Sequence, residues 1–313
     1  MTRKIILDCD PGHDDAVAIL IAHADPQIEL LAVTTVAGNQ TLPKVTLNAR
    51  RVMTVAGIRD VPLAAGADRP LIREQIIAPD IHGESGLDGP AWGAPEVAVD
   101  PRHAVDLIID TVLSQDDVTL VPVGPLTNIA LAMRREPRIV PRLREIVLMG
   151  GGYERGNRTP VAEFNVYADP EAADVVFRSG APITMMGLDV THQVKATADV
   201  VERVRAIGNP VSGLVSELLT FFASTYHAAF GFAGAPLHDP CAVAYLIRPE
   251  IFTLAHVNVA IELRGEYSYG QTVCDMYGVT GRPANANVAT HVDAAAFWDL
   301  IVEALARYPT SVR

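Results

Sequence analysis

Short apolar runs alternate with stretches of helical periodicity through the first two-thirds of this chain, and that alternation constrains the fold most. Ile5-Ile6-Leu7 reads as a strand, followed by an amphipathic stretch from about Asp14 to Ala24. Leu30 to Thr35 is the next strand, followed by a helical pattern around Leu42 to Ala56. Val118 to Val123 leads into a helix over Thr127 to Arg134, and Glu145 to Met149 ends at three glycines. Asp169-Pro170-Glu171 has the order of a helix start: a capping acid, proline at the first helical position, an acid in the first turn. Pro182 to Gly187 is another strand. Such alternation means βαβ units and a mainly parallel sheet flanked by helices. The region from Ala196 to Phe232 reads as helical, His256 to Leu263 as a later strand, and Asp293 as the cap of a final helix over Ala294 to Arg307. No convincing domain boundary interrupts the chain, so residues 1–313 are expected to form one domain.

Composition narrows the partners. Apolar residues are 49% and charged residues 20%, an ordinary balance for a globular protein. The net charge of −12 repels nucleic-acid backbones and anionic membranes but not a small neutral ligand. No apolar run is long enough to span a membrane, and the first residues lack the apolar core of a signal peptide. Cys9, Cys241 and Cys274 have no paired spacing, which fits a reducing, cytoplasmic setting.

The strongest local signal is Asp8-Cys9-Asp10-Pro11-Gly12-His13-Asp14-Asp15: four carboxylates within eight residues, between a strand and a helix. In open α/β sheets ligands bind outside the carboxyl ends of the strands. Helix capping would explain one or two of these acids. It does not explain Asp8 and Asp10 bracketing a cysteine at the strand end. Carboxylates this close repel unless something positive joins them, and a hard divalent cation is the simplest agent. An acid-x-acid after the first strand also occurs in phosphatases that form an aspartyl-phosphate, but Pro11-Gly12-His13 replaces the turn those enzymes need.

Further polar residues follow other strands: Asn39, Asn128, the pair Glu163 and Asn165, and His238-Asp239. Singly each has a plain explanation, Asn128 as a helix cap and Asn39 as a turn former. Together, uncharged amides and acids at strand ends suit a polyol such as ribose. No glycine-rich phosphate loop or dense arginine set is present. The stretch from Leu71 to Pro101, rich in Gly, Pro, His and Asp, reads as a long functional loop.

These motifs resemble the nucleoside hydrolases, often called inosine–uridine-preferring. The resemblance rests on Asp8 to Asp15, Val-Ala-Gly-Asn39, Gly-Pro-Leu-Thr-Asn128, Met149-Gly-Gly, Ala-Glu-Phe-Asn165 and His238-Asp239, in the family's order across nearly the whole chain. It implies an open, Rossmann-like α/β core with the site at the strand carboxyl ends. It implies one Ca²⁺ held by Asp10, Asp15, Asp239 and the main-chain carbonyl of Val123, where the family often has Thr. Asp14 would be the general base, taking a proton from a water on that ion. Asn39, Glu163 and Asn165 would bind ribose hydroxyls, Met149 would line their pocket, and Asp8 would support the cluster. His238 would donate a proton to the leaving base, with His82 as a second candidate. The implied reaction is hydrolysis of a ribonucleoside to base and ribose with inversion, in a homodimer or homotetramer. Gly234 to Cys241 looks closest to the pyrimidine-preferring bacterial branch. Phe222, Tyr226 and Phe230 share one helical face. Such a stripe is more often core. If it faces the site, Tyr226 and its neighbours could stack on any base, and strict pyrimidine specificity would be in doubt. A divalent-metal phosphatase and a non-catalytic nucleoside-binding protein are the competing readings.

Overall fold

A computed structural model describes residues 2–310. The strands are β1 Arg3–Cys9, β2 Ile28–Thr35, β3 Leu63–Ala65, β4 Val118–Pro122, β5 Leu143–Met149, β6 Ile183–Met186, β7 Lys195–Ala196, β8 Ala235–Pro236, β9 Phe252–Val257, β10 Val259–Ile261, β11 Thr272–Cys274 and β12 Ala286–Val292. Eight of them form one sheet in the order β3-β2-β1-β4-β5-β6-β12-β9. All neighbours in it are parallel except β12 and β9. The helices are α1 His13–Ala24, α2 Leu42–Val55, α3 Pro79–His82, α4 Ala104–Ser114, α5 Thr127–Arg135, α6 Phe164–Ala168, α7 Pro170–Phe177, α8 Leu188–Thr191, α9 Ala198–Arg205, α10 Pro210–Phe230, α11 Pro240–Ile247 and α12 Ala294–Leu305.

The period-2 alternation of each strand divides the core into two layers. Ile5, Leu7 and Cys9 of β1 face a cluster with residues of α1, α10, α11 and α12, whereas Ile6 faces one built with α4, α5 and α7. Burial on both faces explains why β1 and β4 read as continuous apolar runs. Each fully buried Ile or Leu of β1 contributes roughly 1.5–3 kcal/mol by leaving water. Strand order reverses direction between β1 and β4, and the crevice at their carboxyl ends is the switch point where ligands bind in such sheets.

Three expectations from the sequence need correction. The helical region from Ala196 to Phe232 is two helices, because Asn209 precedes Pro210 and is held extended. Asn209 then caps α10 through Ser212, and α10 ends at Gly231 in the left-handed conformation (φ 69°). The strand expected over His256 to Leu263 breaks after Val257. There the Val259 amide turns to the Asn285 side chain (2.7 Å), and β10 pairs with β11 outside the main sheet. The final helix stops at Leu305 rather than Arg307. β3 and β12 were not anticipated: the first is three residues long, and the second carries Asn287, Thr290 and His291.

Candidate active site

Asp15 folds back over the turn after β1, accepting from the amides of Asp10 (3.0 Å) and Gly12 (2.9 Å). The capping explanation therefore holds for this one acid. Asp10 lies deeper. Its Oδ2 accepts from the Asn39 amide at 2.6 Å, and its Oδ1 is buried without a partner. Two glycines make room for it: a Cβ on Gly38 would lie 2.1 Å from Asp10 Oδ2, and one on Gly124 2.5 Å from Oδ1. Asp8 stands behind the cluster, accepting from the Thr34 hydroxyl (2.6 Å) and the Asn128 amide (2.8 Å). Asn128 is thus not a helix cap. It sits in the first turn of α5 and ties Asp8 to the Thr35 carbonyl and the Ala67 amide.

Asp14 and Asp239 complete the cluster. One carboxylate oxygen each from Asp14, Asp15 and Asp239 lie within 4.8 Å of one another, all buried. Among the described residues, no Lys or Arg ion pair reaches these acids. Burial, and then the charge of Asp15, push Asp14 up to about 8. Asp10 and Asp239 are driven well above the carboxylate range by burial and by the neighbouring acids. Buried oxygen donors without a counter-charge, one with no partner at all, fit a hard divalent cation.

Beside the cluster lies a pocket of about 610 Å³, its mouth included, lined by Asp14, Asn39, His82, Val123, Met149, Glu163, Asn165, Tyr226, His238 and Asp239 among others. Glu163 caps α6. Its Oε1 accepts from the Asn165 amide (2.8 Å), its Oε2 from those of Gly151 (2.8 Å) and Val166 (3.1 Å), and burial lifts it to about 7. The Asn165 side chain donates to the carbonyls of Val123 (2.7 Å) and Met149 (3.2 Å). The Asn39 amide donates to the Asp10 carbonyl (3.1 Å) and to Asp15 Oδ2 (3.3 Å). The acids and amides expected to meet a sugar are therefore braced by the backbone that also frames the carboxylates.

The opposite wall is aromatic. Phe222, Tyr226 and Phe230 all line the pocket, the first two buried and Phe230 42% exposed. The stripe therefore faces the site, the less common outcome for such a pattern. His238 lies between two hydroxyls, Thr191 Oγ1 at 2.7 Å from Nδ1 and Tyr226 at 2.8 Å from Nε2. Burial lowers its pKa well below the usual histidine value, so the ring is neutral near pH 7.

His82, on α3, is buried and not a surface residue. His13 Nε2 lies 2.8 Å from the Asp88 carbonyl, which can only accept, so this nitrogen carries the hydrogen. Burial holds His13 near 4 and hence neutral. Its Nδ1 then accepts from His82 Nδ1 (3.1 Å), which outweighs the longer 3.4 Å contact from the His13 amide. The neutral His82 ring is left with Nε2 as an acceptor.

The sequence reasoning did not single out His13, Thr191, Ile81, Asn157 or Arg158. His13 lies inside the acidic octet and could have been read as part of it. Asn157 and Arg158 line the pocket from a loop and Ile81 from the four-residue α3, both too short for a periodic signal, and Thr191 reaches His238 only through the fold.

Buried carboxylates at the switch point of a parallel sheet, beside a pocket lined by Asn39, Glu163 and Asn165, frame the candidate site. A family model described as inosine-uridine preferring nucleoside hydrolase matches residues 5–299. The pyrimidine-specific ribonucleoside hydrolase RihA of Shewanella woodyi is 52% identical over 98% of this chain and 99% of its own. RihB of Escherichia coli, described in the same words, is 50% identical over 98% of each. Among solved structures, a purine-preferring ribonucleoside hydrolase from Gardnerella vaginalis superposes with a TM-score of 0.91 at 31% identity, covering 97% of this chain and 98% of that one. The chain belongs to the inosine-uridine preferring nucleoside hydrolase family, and the phosphatase reading falls away.

Proposed function

We propose that this enzyme cleaves the N-glycosidic bond of pyrimidine ribonucleosides, uridine and cytidine, with water. The observation that carries the reading is the position of the buried acids Asp14 and Asp239, grouped with Asp15, in one pocket with Asn39, Glu163 and Asn165. The names of RihA and RihB support the choice of pyrimidines.

Asp10, Asp15, Asp239 and the Val123 carbonyl would hold Ca²⁺. When bound, the ion would orient the attacking water and the ribose diol and ease loss of the water's proton. Asp14 accepts that proton, acting in its ionised form, which positive charge at the cluster favours. Glu163, Asn39 and Asn165 engage the ribose hydroxyls, and their negative or dipolar groups offset the positive charge that develops on the sugar as the base departs. His238, neutral and paired with the Tyr226 hydroxyl, donates a hydrogen bond to the leaving base as negative charge develops on it. His82, with Nε2 free to accept, holds a donor group of the substrate. Direct displacement inverts the anomeric carbon. One catalytic domain spans the chain, and a cytoplasmic homodimer or homotetramer is the proposed working form, checked by light scattering.

A broader base specificity is the second reading. It rests on the aromatic wall, which can stack on any base. Release of free base and ribose from uridine, cytidine, inosine and adenosine decides between them. Turnover confined to the pyrimidines supports the first and comparable turnover of inosine the second. Tight binding without release from any of the four would return the chain to the non-catalytic reading.

A further inference from the structure

One of the three amides that hold Glu163 belongs to a turn braced from outside the main sheet. Glu163 Oε2 accepts from the amide of Gly151. Gly151 is in the left-handed conformation (φ 72°), and a Cβ there would meet the Thr272 methyl at 2.6 Å. Thr272 lies on β11, in the two-stranded sheet with β10 that no strand of the main sheet joins. Its hydroxyl makes a reciprocal pair with the next residue, accepting from the Gly152 amide (2.8 Å) and donating to the Gly152 carbonyl (2.7 Å). The side chain is buried, so neither bond is traded cheaply for water. Thr272 thus packs on Gly151 and is bonded to Gly152, while Glu163 holds Gly151 from the other side. The segment between, Tyr153 to Ala162, carries Asn157 and Arg158 into the pocket.

We infer that Thr272 is a positioning residue for hydroxyl recognition: its hydroxyl sets the Gly151–Gly152 turn, and the turn sets the orientation of the Glu163 carboxylate. A valine at 272 fills nearly the same space but can make neither bond. The Gly151 amide then drifts from Glu163, and the acid loses its fixed aim at the sugar. A serine keeps both bonds.

The inference rests on the proposed nucleoside hydrolysis for its kinetic readout and on amide exchange for one that does not need turnover. In Thr272→Val, hydrogen exchange of the segment from Gly151 to Glu163 should rise at least tenfold, and Thr272→Ser should restore most of the protection. The kcat/KM of uridine should fall roughly tenfold, while at least one of 2′-, 3′- or 5′-deoxyuridine is nearly unaffected, so discrimination for that hydroxyl shrinks. Adding Thr272→Val to Glu163→Gln should then cost little more than Glu163→Gln alone. Unchanged exchange in Thr272→Val overturns the inference whatever the enzyme hydrolyses. So does a uniform loss on uridine and all three analogues, which would mean a stability role only. If wild type hydrolyses no nucleoside while the exchange result holds, the proposed activity fails and the turn's dependence on Thr272 stands.

Discussion

The Tyr226 hydroxyl lies 2.8 Å from Nε2 of His238, in the pocket that Asp14 and Asp239 also line. In the proposed mechanism His238 serves the leaving base and Asp14 the attacking water, and the choice of leaving group separates the two roles. A nucleobase leaves poorly as an anion and needs hydrogen from the enzyme, whereas 4-nitrophenolate does not. His238→Ala should lower kcat/KM for uridine by roughly 10²–10³-fold, the usual cost of losing one hydrogen-bond donor to developing negative charge. The same variant should hydrolyse 4-nitrophenyl riboside within a few-fold of wild type. Tyr226→Phe should show the same asymmetry at smaller size. Equal losses on both substrates would remove His238 from the leaving-group side.

Asp14→Asn should give the opposite pattern. The amide keeps the shape of the side chain but cannot take a proton, so both substrates should lose activity by roughly 10³-fold or more. Asp14 is raised by burial and by the charge of Asp15, so neutralising it removes a repulsion. The variant's melting temperature in the absence of metal should equal or exceed that of wild type. A folded Asp14→Asn enzyme with near-normal turnover would assign the base elsewhere.

How much of this was legible beforehand follows from which signals are local. The acidic octet could be placed between a strand and a helix because β1 and α1 each carry their own periodicity. The role of Asn128 could not, because an amide in the first turn of a helix has the same sequence signature whether it caps that helix or reaches back to Asp8. The stripe of Phe222, Tyr226 and Phe230 fixes a shared face but not what that face meets. α10 turns it to the pocket through its packing on α3, a four-residue helix inside a glycine-rich loop. Thr191 and Thr272 gave no signal, since each acts on a residue at least 47 positions away. β12 escaped for a related reason: its polar residues are tolerated near the antiparallel edge formed with β9.

Gly38 and Gly124 make a sharper test of the Asp10 site than removal of the acid itself. A methyl at either position would sit 2.1 Å or 2.5 Å from an Asp10 oxygen, and at Gly38 also 2.8 Å from the Pro125 ring. Gly38→Ala should destabilise the fold by about 1–3 kcal/mol, the usual cost of overpacking. It should also weaken Ca²⁺ binding by at least tenfold, read by calorimetry. Normal calcium affinity in a folded Gly38→Ala protein would mean that Asp10 is not a ligand.

Metal removal should make stability depend on pH in a definite direction. In the metal-free protein, Asp8 is raised from 3.8 to about 7 and Asp14 to about 8, both mainly by burial, and Asp10, Asp15 and Asp239 move the same way. Raised carboxyls bind protons in the folded state that the unfolded chain has released. Their contribution is therefore fully present below the ordinary carboxyl value and lost as pH rises through the folded values. Buried His13, His82, His192 and His238, held below the ordinary histidine value, act with the opposite sign up to about pH 7, so after chelation the melting temperature should fall between pH 7 and pH 8.5. Added Ca²⁺ should raise it most at the alkaline end, where the carboxylates are ionised and ligation costs no proton release. The calcium-loaded enzyme should show a much flatter profile. A metal-free protein that grows more stable from pH 7 to pH 8.5 would mean that these acids are already compensated without an ion, and the cation site would have to be sought elsewhere.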